Sequence, residues 1–124
     1  MNIETSIGEI VDKLTILRLK KLNITDENKL LNINKEYDYL YDIVFHQLKI
    51  QTEDFNELFL INNILWNVED KIREKEMNNQ FDQDFIEMAR TVYLTNDQRF
   101  NLKKKINIKY NSSFVEEKSH KQTI

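Results

Sequence analysis

The residues with the clearest capacity for chemistry lie near the N-terminus, where acidic and basic side chains recur at helical spacing. Glu9 and Asp12 stand one helical turn apart, and Lys13 follows Glu9 by four residues. Two such carboxylates are candidate ligands of Mg²⁺, which takes one or two carboxylates and keeps water or substrate phosphate in its other positions. The same spacing is typical of an ion pair on a solvated helix face. Both interpretations of Glu9 and Asp12 stay open.

A second set of residues, partly aromatic and partly polar, follows one face of the segment 52–77. It lies beside the apolar stripe of that segment and consists of Phe55, Phe59, Asn62, Trp66, Glu69 and Arg73, with Asp70 at its edge. Aromatic area beside a few polar groups is typical of a site for a small polar ligand. The same set fits a network between helices or a dimer interface, in which Arg73 pairs with carboxylates of its own helix.

Arginines elsewhere complete the candidates for binding an anion. Arg18 lies near the apolar stripe of the first helix, where a guanidinium needs a carboxylate partner, and we expect Glu69 or Asp70 in that role. The run ARTVYLTNDQR (89–99) gathers further candidates around a predicted helix junction. The ligand-binding candidates are Arg18, Asn62, Trp66, Glu69, Asp70, Arg73, Arg90, Tyr93 and Arg99.

The composition excludes several other kinds of site. The chain has no cysteine, so it offers no disulfide, thiolate zinc site or thiol nucleophile. Its single glycine, Gly8, cannot build a glycine-rich phosphate loop. The two histidines, His46 and His120, belong to no metal-binding motif. No nucleophilic triad can be argued either.

The charge and the hydropathy of the chain argue against nucleic-acid and membrane partners. The net charge is −3 with both signs interspersed, which argues against a nucleic-acid partner, and the run Lys103–Lys105 is predicted to be a solvated face. No apolar run approaches the roughly 18 residues that a membrane span needs, and the N-terminus lacks the pattern of a signal peptide. We therefore expect a cytoplasmic protein without a membrane partner.

Capping and periodicity predict five helices. Ser6 with Glu9 forms a capping box before the first helix, Asp82 caps the fourth, and Thr95 with Gln98 repeats the capping-box pattern before the fifth. Apolar residues at the spacing of one helical face follow each start. The predicted helices span 7–22, 26–50, 52–77, 83–94 and 95–107.

These helices predict an all-α fold, an antiparallel bundle of three long helices plus two shorter C-terminal helices, because each apolar stripe must be buried against another. We expect one domain over 1–110 and a polar C-terminal tail over 111–124 that is flexible or docks on a partner. Ile16 and Leu19 lie opposite the main stripe of the first helix. That helix is therefore either central or part of a dimer interface.

Four phrases resemble a small uncharacterised all-helical family known from bacteria, marine viruses and environmental sequences. They are IGEIVDKLTILRLKKLNI, LWNVEDKIREKE, FIEMARTVYLTNDQR and KKKIN, and the resemblance extends over nearly the whole ordered chain. The family is a domain of unknown function, so the resemblance implies a conserved helical unit and no catalytic residue.

Two functions are compatible with these observations. The first is a helical binding or interaction module that self-associates, most simply as a dimer, through the second face of the first helix and the aromatic face of the third. The alternative is a small all-α enzyme or ligand-binding protein for a phosphorylated or carboxylated metabolite. All-α nucleotide pyrophosphohydrolases are similar at Glu9 and Asp12 but carry a preceding ExxE that this chain lacks, and helical chorismate mutases are similar only in their use of arginines.

Overall fold

The computed structural model describes residues 2–115 and 117, and the regular structure in this part of the chain is helical. The helices are α1 (Ile7–Asn23), α2 (Glu27–Tyr41), α3 (Thr52–Met77) and α4 (Gln83–Lys109). A π-helical segment, Asp42–Gln47, directly continues α2. The predicted all-α class is confirmed, and the described residues form no strand.

Three helices begin where a short polar side chain can accept a backbone hydrogen bond. The Ser6 hydroxyl accepts from the Glu9 amide at 3.2 Å, and the Asp82 carboxylate accepts from the Phe85 amide at 2.9 Å. Asp26 caps α2 in the same way. Each cap satisfies one of the amides that the first helical turn leaves without a partner.

Two helices end on an asparagine in the left-handed region. Asn79 and Asn111 both have a φ of 55°, a conformation that asparagine tolerates better than most residues. The amide of Gln80 then reaches back to the Lys75 carbonyl at 2.8 Å, which closes a Schellman motif. The predicted end of the third helix at Asn78 and Asn79 is therefore confirmed.

The predicted break at Thr95 is wrong, because the fourth and fifth predicted helices form the single helix α4. The segment 83–109 contains neither glycine nor proline, so nothing interrupts its backbone hydrogen bonds. Thr95 is only 5% exposed in the middle of this helix and caps nothing. A capping-box pattern marks a helix start only where the preceding residues leave the helix.

α1 is the central helix of the fold. It packs against α2, α3 and α4, and Leu19 on its second side has no exposed surface. Glu9 pairs with Lys103 and Asp12 pairs with Arg99, so α1 and α4 run antiparallel. The dimer-interface interpretation of α1 is therefore not needed to explain its second apolar side.

The hydrophobic core lies where α1 meets the other elements. α3 and α4 are antiparallel, since Asp54 meets Lys109 and Glu57 meets Lys105. The buried core residues are Val11, Leu14, Leu17, Tyr37, Val44, Ile50, Phe55, Leu58 and Ile106. Among the described residues, no helix is both long and apolar enough to cross a bilayer.

Only the first part of the predicted tail lies within the described residues, and it contacts the start of α1. The Ser112 hydroxyl accepts a hydrogen bond from the Ile7 amide at 3.0 Å. Glu117 forms an ion pair with Lys104 at 3.6 Å. Residues 116 and 118–124 lie outside the part of the chain that the structure describes.

Gly8, the single glycine of the chain, lets α1 approach α4 closely. A Cβ atom at this position would lie 2.6 Å from the Lys103 carbonyl oxygen, a backbone atom that cannot turn away. The Gly8 amide uses the same proximity to donate to Asn107 Oδ1 at 2.6 Å. Glycine is therefore required here by space and not by a turn.

We predict that Gly8→Ala lowers the free energy of unfolding by about 1–3 kcal/mol, because α1 must move away from α4. Helix propensity alone predicts the opposite sign, a gain of about 1 kcal/mol. Urea denaturation of both proteins measures the difference. An alanine variant as stable as the parent would show that the close approach of the two helices is not required.

Candidate functional site

A buried polar centre joins α1, α3 and α4. The Asp12 carboxylate is 4% exposed and accepts hydrogen bonds from Arg99 Nε at 3.0 Å and from Asn62 Nδ2 at 2.8 Å. Arg99 Nη2 donates to the second carboxylate oxygen of Asp12, so the guanidinium binds this carboxylate in a bidentate manner. Asn62 Nδ2 also lies 2.7 Å from the Thr15 hydroxyl. The structure therefore brings together three residues that the sequence proposed separately.

The two candidate metal ligands are each engaged by a different cation. Asp12 is held by Arg99, and Glu9 forms an ion pair with Lys103. The described residues include no group of three or more histidine, cysteine or acidic side chains placed to hold a metal. The geometry at Glu9 and Asp12 is that of two inter-helix ion pairs between α1 and α4.

Lys103 is the residue of this region that sequence reasoning missed. It was expected on a solvated face but is only 7% exposed, and the expectation for Lys103 is therefore wrong. Arg99, Lys103 and Asn107 recur every four residues on α4, and each contacts α1. This four-residue spacing was the sequence pattern that could have identified the contact with α1. A polar face of a helix is predicted to be solvated, however, unless an acidic partner helix is known.

Arg18 finds aromatic partners instead of the expected carboxylates Glu69 or Asp70. Its Nη2 donates to the Tyr37 hydroxyl at 2.8 Å, and its Cζ lies 4.4 Å from the centroid of the Phe55 ring. A guanidinium over an aromatic face is stabilised by the quadrupole of the ring. Arg18 is therefore part of the packing between α1, α2 and α3.

The N-terminus of α1 is closed to anions. Its first three amides already have acceptors, because Ile7 donates to Ser112, Gly8 to Asn107 and Glu9 to Ser6. A helix N-terminus binds a phosphate through amides that lack a protein acceptor. The start of α1 therefore offers none of these three amides to a phosphate.

The far halves of α3 and α4 extend beyond the rest of the fold. α1 has 17 residues, whereas α3 has 26 and α4 has 27. None of the residues from 66 to 94 is buried, although apolar residues recur along both helices. We call this hairpin, residues 66–94, the arm. At its outer end Lys75 pairs with Asp82 at 3.0 Å.

The remaining sequence candidates all lie on the arm. Trp66 is half-buried, and the exposed candidates are Glu69, Asp70, Arg73, Arg90 and Tyr93. Tyr93 is 68% exposed. The structure thus separates the proposed ligand set. Arg18, Asn62 and Arg99 form hydrogen bonds within the part of the fold outside the arm, which we call the body, whereas the others lie on the arm.

One face of the arm continues the surface on which α1 lies. On α3, Asn62 contacts α1, and Trp66, Glu69 and Arg73 follow on the same face. On α4, Arg99 contacts α1, and the same face continues toward the N-terminus through Val92, Ala89 and Phe85. We call these six residues the open face: Trp66, Glu69, Arg73, Phe85, Ala89 and Val92.

A second polar cluster fixes the start of α3 to the end of α4. Lys109 Nζ and the Tyr110 hydroxyl both donate to Asp54 Oδ2, and Tyr110 accepts from the Gln51 amide at 2.9 Å. Burial raises the pKa of the Asp54 carboxyl, but hydrogen bonds from Lys109 and Tyr110 outweigh it, so the pKa is lowered. The hydrogen bond to Asp54 raises the pKa of Lys109. Burial, followed by the same carboxylate, raises the pKa of Tyr110.

The fold and its surfaces define an all-helical protein with a central α1 and a two-helix arm. Residues 1–124 match the model of a family of unknown function, DUF6165, and the chain belongs to this family. The resemblance to an uncharacterised helical family is thereby confirmed. No curated protein and no solved structure matches the chain.

We predict that Asp12→Leu lowers the free energy of unfolding by about 3 kcal/mol, because it removes the buried carboxylate to which Arg99 and Asn62 both donate. Adding Arg99→Met should recover part of the loss. A double-mutant cycle measured by urea denaturation gives the coupling energy. The exposed neighbour Lys13→Leu is the control and should change stability little. Losses that simply add would contradict an energetic link between Asp12 and Arg99.

The Asp54 cluster predicts a dependence of stability on pH. Its lowered pKa means that the stabilisation is present above the unfolded-state pKa near 4 and is lost as the pH falls through the folded-state value. At pH 7, Asp54→Asn should cost about 2 kcal/mol. The difference between the two proteins should shrink below about pH 4. Denaturation of both proteins at pH 7 and pH 3 measures this difference in stability. An equal difference at both pH values would contradict a lowered pKa of Asp54 in the folded state.

Proposed function

We propose that this chain is a protein-interaction module that self-associates, with a dimer favoured, through the open face of the arm. The observation that carries the proposal is the absence of any buried residue between 66 and 94, in a hairpin whose helices both carry apolar residues. An amphipathic helix is stable when its apolar stripe is buried against another element. A partner helix would supply that element.

The body of the fold shows what the arm lacks. Where α1 lies on α3 and α4, it buries Phe55, Leu58 and Ile106 completely or nearly so. Beyond the level of Asp12 and Asn62, the same face presents Trp66, Phe85 and Val92 half-buried. Among the described residues, no third helix covers them. The open face therefore combines half-buried apolar residues with the exposed charged residues Glu69 and Arg73.

The placement of the polar candidates supports an interaction module over an enzyme. Asn62 and Arg99 both donate to Asp12 in the body of the fold, which is the arrangement of a structural network. Arg73 and Arg90 are exposed on the arm. We propose a single helical domain over 1–110 followed by a tail. We also propose that the protein is located in the cytoplasm, because a chain without cysteine has no disulfide that this reducing compartment could break.

The single tryptophan makes self-association directly measurable. Trp66 lies on the open face, and the chain contains no other tryptophan. Docking of a second copy removes water from this indole, so its emission should move to shorter wavelength as the protein concentration rises. Light scattering over the same concentrations gives the mass. A monomer of unchanged emission at every concentration would overturn self-association.

We predict that Ala89→Glu weakens the dimer by at least about tenfold, because a charged side chain then projects from the middle of the open face. The matched control is Gln98→Glu on the same helix. Gln98 is exposed and lies on the opposite side of the helix from Ala89, so its replacement should leave the mass unchanged. Sedimentation of both variants measures the effect. Loss of the dimer in Gln98→Glu alone would place the interface on the other side of α4.

A further inference from the structure

We propose that two copies of this chain pack their arms antiparallel, so that the outer end of each arm lies over the base of the other. This inference rests on the proposed function and adds the direction and the register of pairing. It follows from two independent features: the layers of the fold, and a symmetric spacing of residues on α3.

The layers exclude a parallel pairing of the open faces. α1 lies on the surface formed by α3 and α4, and α2 lies on α1. Helices that pack face to face approach to about 8–10 Å between axes. If two arms paired with both ends pointing the same way, the α1 layers of the two copies would occupy the same space. An antiparallel pair places each body beyond the end of the opposite arm, where the space is open.

The spacing on α3 is symmetric about the middle of the arm. Trp66, Asp70, Arg73 and Met77 follow one another at intervals of four, three and four residues, which keeps them near one side of the helix. A two-fold axis between residues 71 and 72 therefore places Trp66 of one copy opposite Met77 of the other. The same axis places Asp70 opposite Arg73.

The chemistry of these pairs is complementary. Met77 is 78% exposed and Trp66 is half-buried, and a methionine sulfur packs favourably at the edge of an aromatic ring. Asp70 and Arg73 are both exposed, and a carboxylate facing a guanidinium forms a charge-assisted hydrogen bond. Because the interface is isologous, each pair occurs twice. In a parallel pairing of α3 with α3, Asp70 would instead face Asp70 and Arg73 would face Arg73.

Charge reversal tests the register. Asp70→Arg and Arg73→Asp should each weaken the homodimer by about tenfold or more, because like charges then face each other twice. In an equimolar mixture the two variants should form a heterodimer, since every reversed charge meets an opposite one. Native mass spectrometry, with one variant labelled by a heavy isotope, distinguishes the heterodimer from either homodimer.

Two exposed residues of α2 provide matched controls, Lys35→Asp for Arg73→Asp and Asp38→Arg for Asp70→Arg. These controls should leave the dimer intact. A dimer that is lost in Ala89→Glu but survives both charge reversals would overturn the antiparallel register and leave the proposed function standing. A wild-type chain that stays monomeric would overturn both. Melting curves by circular dichroism confirm that each variant is folded.

Discussion

The position of α1 depends on one buried carboxylate. Asp12 accepts hydrogen bonds from α3 through Asn62 and from α4 through Arg99, so a single side chain ties three helices at one level. Removing a carboxylate from water is costly unless charge and hydrogen bonds compensate it, and a shift of α1 by one turn would separate these partners. Gly8 adds a steric condition, because its missing Cβ is what allows α1 to reach this depth against α4. Together they fix where α1 lies along the longer helices.

Local rules predicted most of the secondary structure from sequence. The starts of α1 and α4 follow from Ser6 and Asp82, whose side chains cap free amides, and the end of α3 follows from Asn79. The false break at Thr95 has a different origin. A threonine followed three residues later by glutamine has the same pattern at a helix start and in a helix interior. The segment 83–109 contains neither glycine nor proline to end a helix before Thr95, and the packing of α4 buries this residue in the helix interior.

The candidate site was predictable in part. The face of α3 that carries Asn62 and Trp66 was visible as a helical pattern, but its division into a bonded half and an open half was not. That division depends on where α1 packs along α3, which is a long-range property. Lys103 was missed for a related reason. Its burial depends on Glu9, a partner distant in sequence that no local pattern identifies.

The mismatch in helix length links the stability of the fold to its proposed function. α1 has 17 residues and α3 has 26, so α3 exceeds the central helix by about 14 Å at 1.5 Å per residue. α1 lies over the base of the hairpin, where Asp12 contacts Asn62 and Arg18 contacts Phe55, and it leaves Trp66 and Val92 uncovered. Shortening α3 and α4 would remove the uncovered surface. The chain instead keeps apolar residues on helical turns that its own core does not need. Exposure of such a surface costs free energy in an isolated copy. That free energy is recovered when a second helical layer covers the surface.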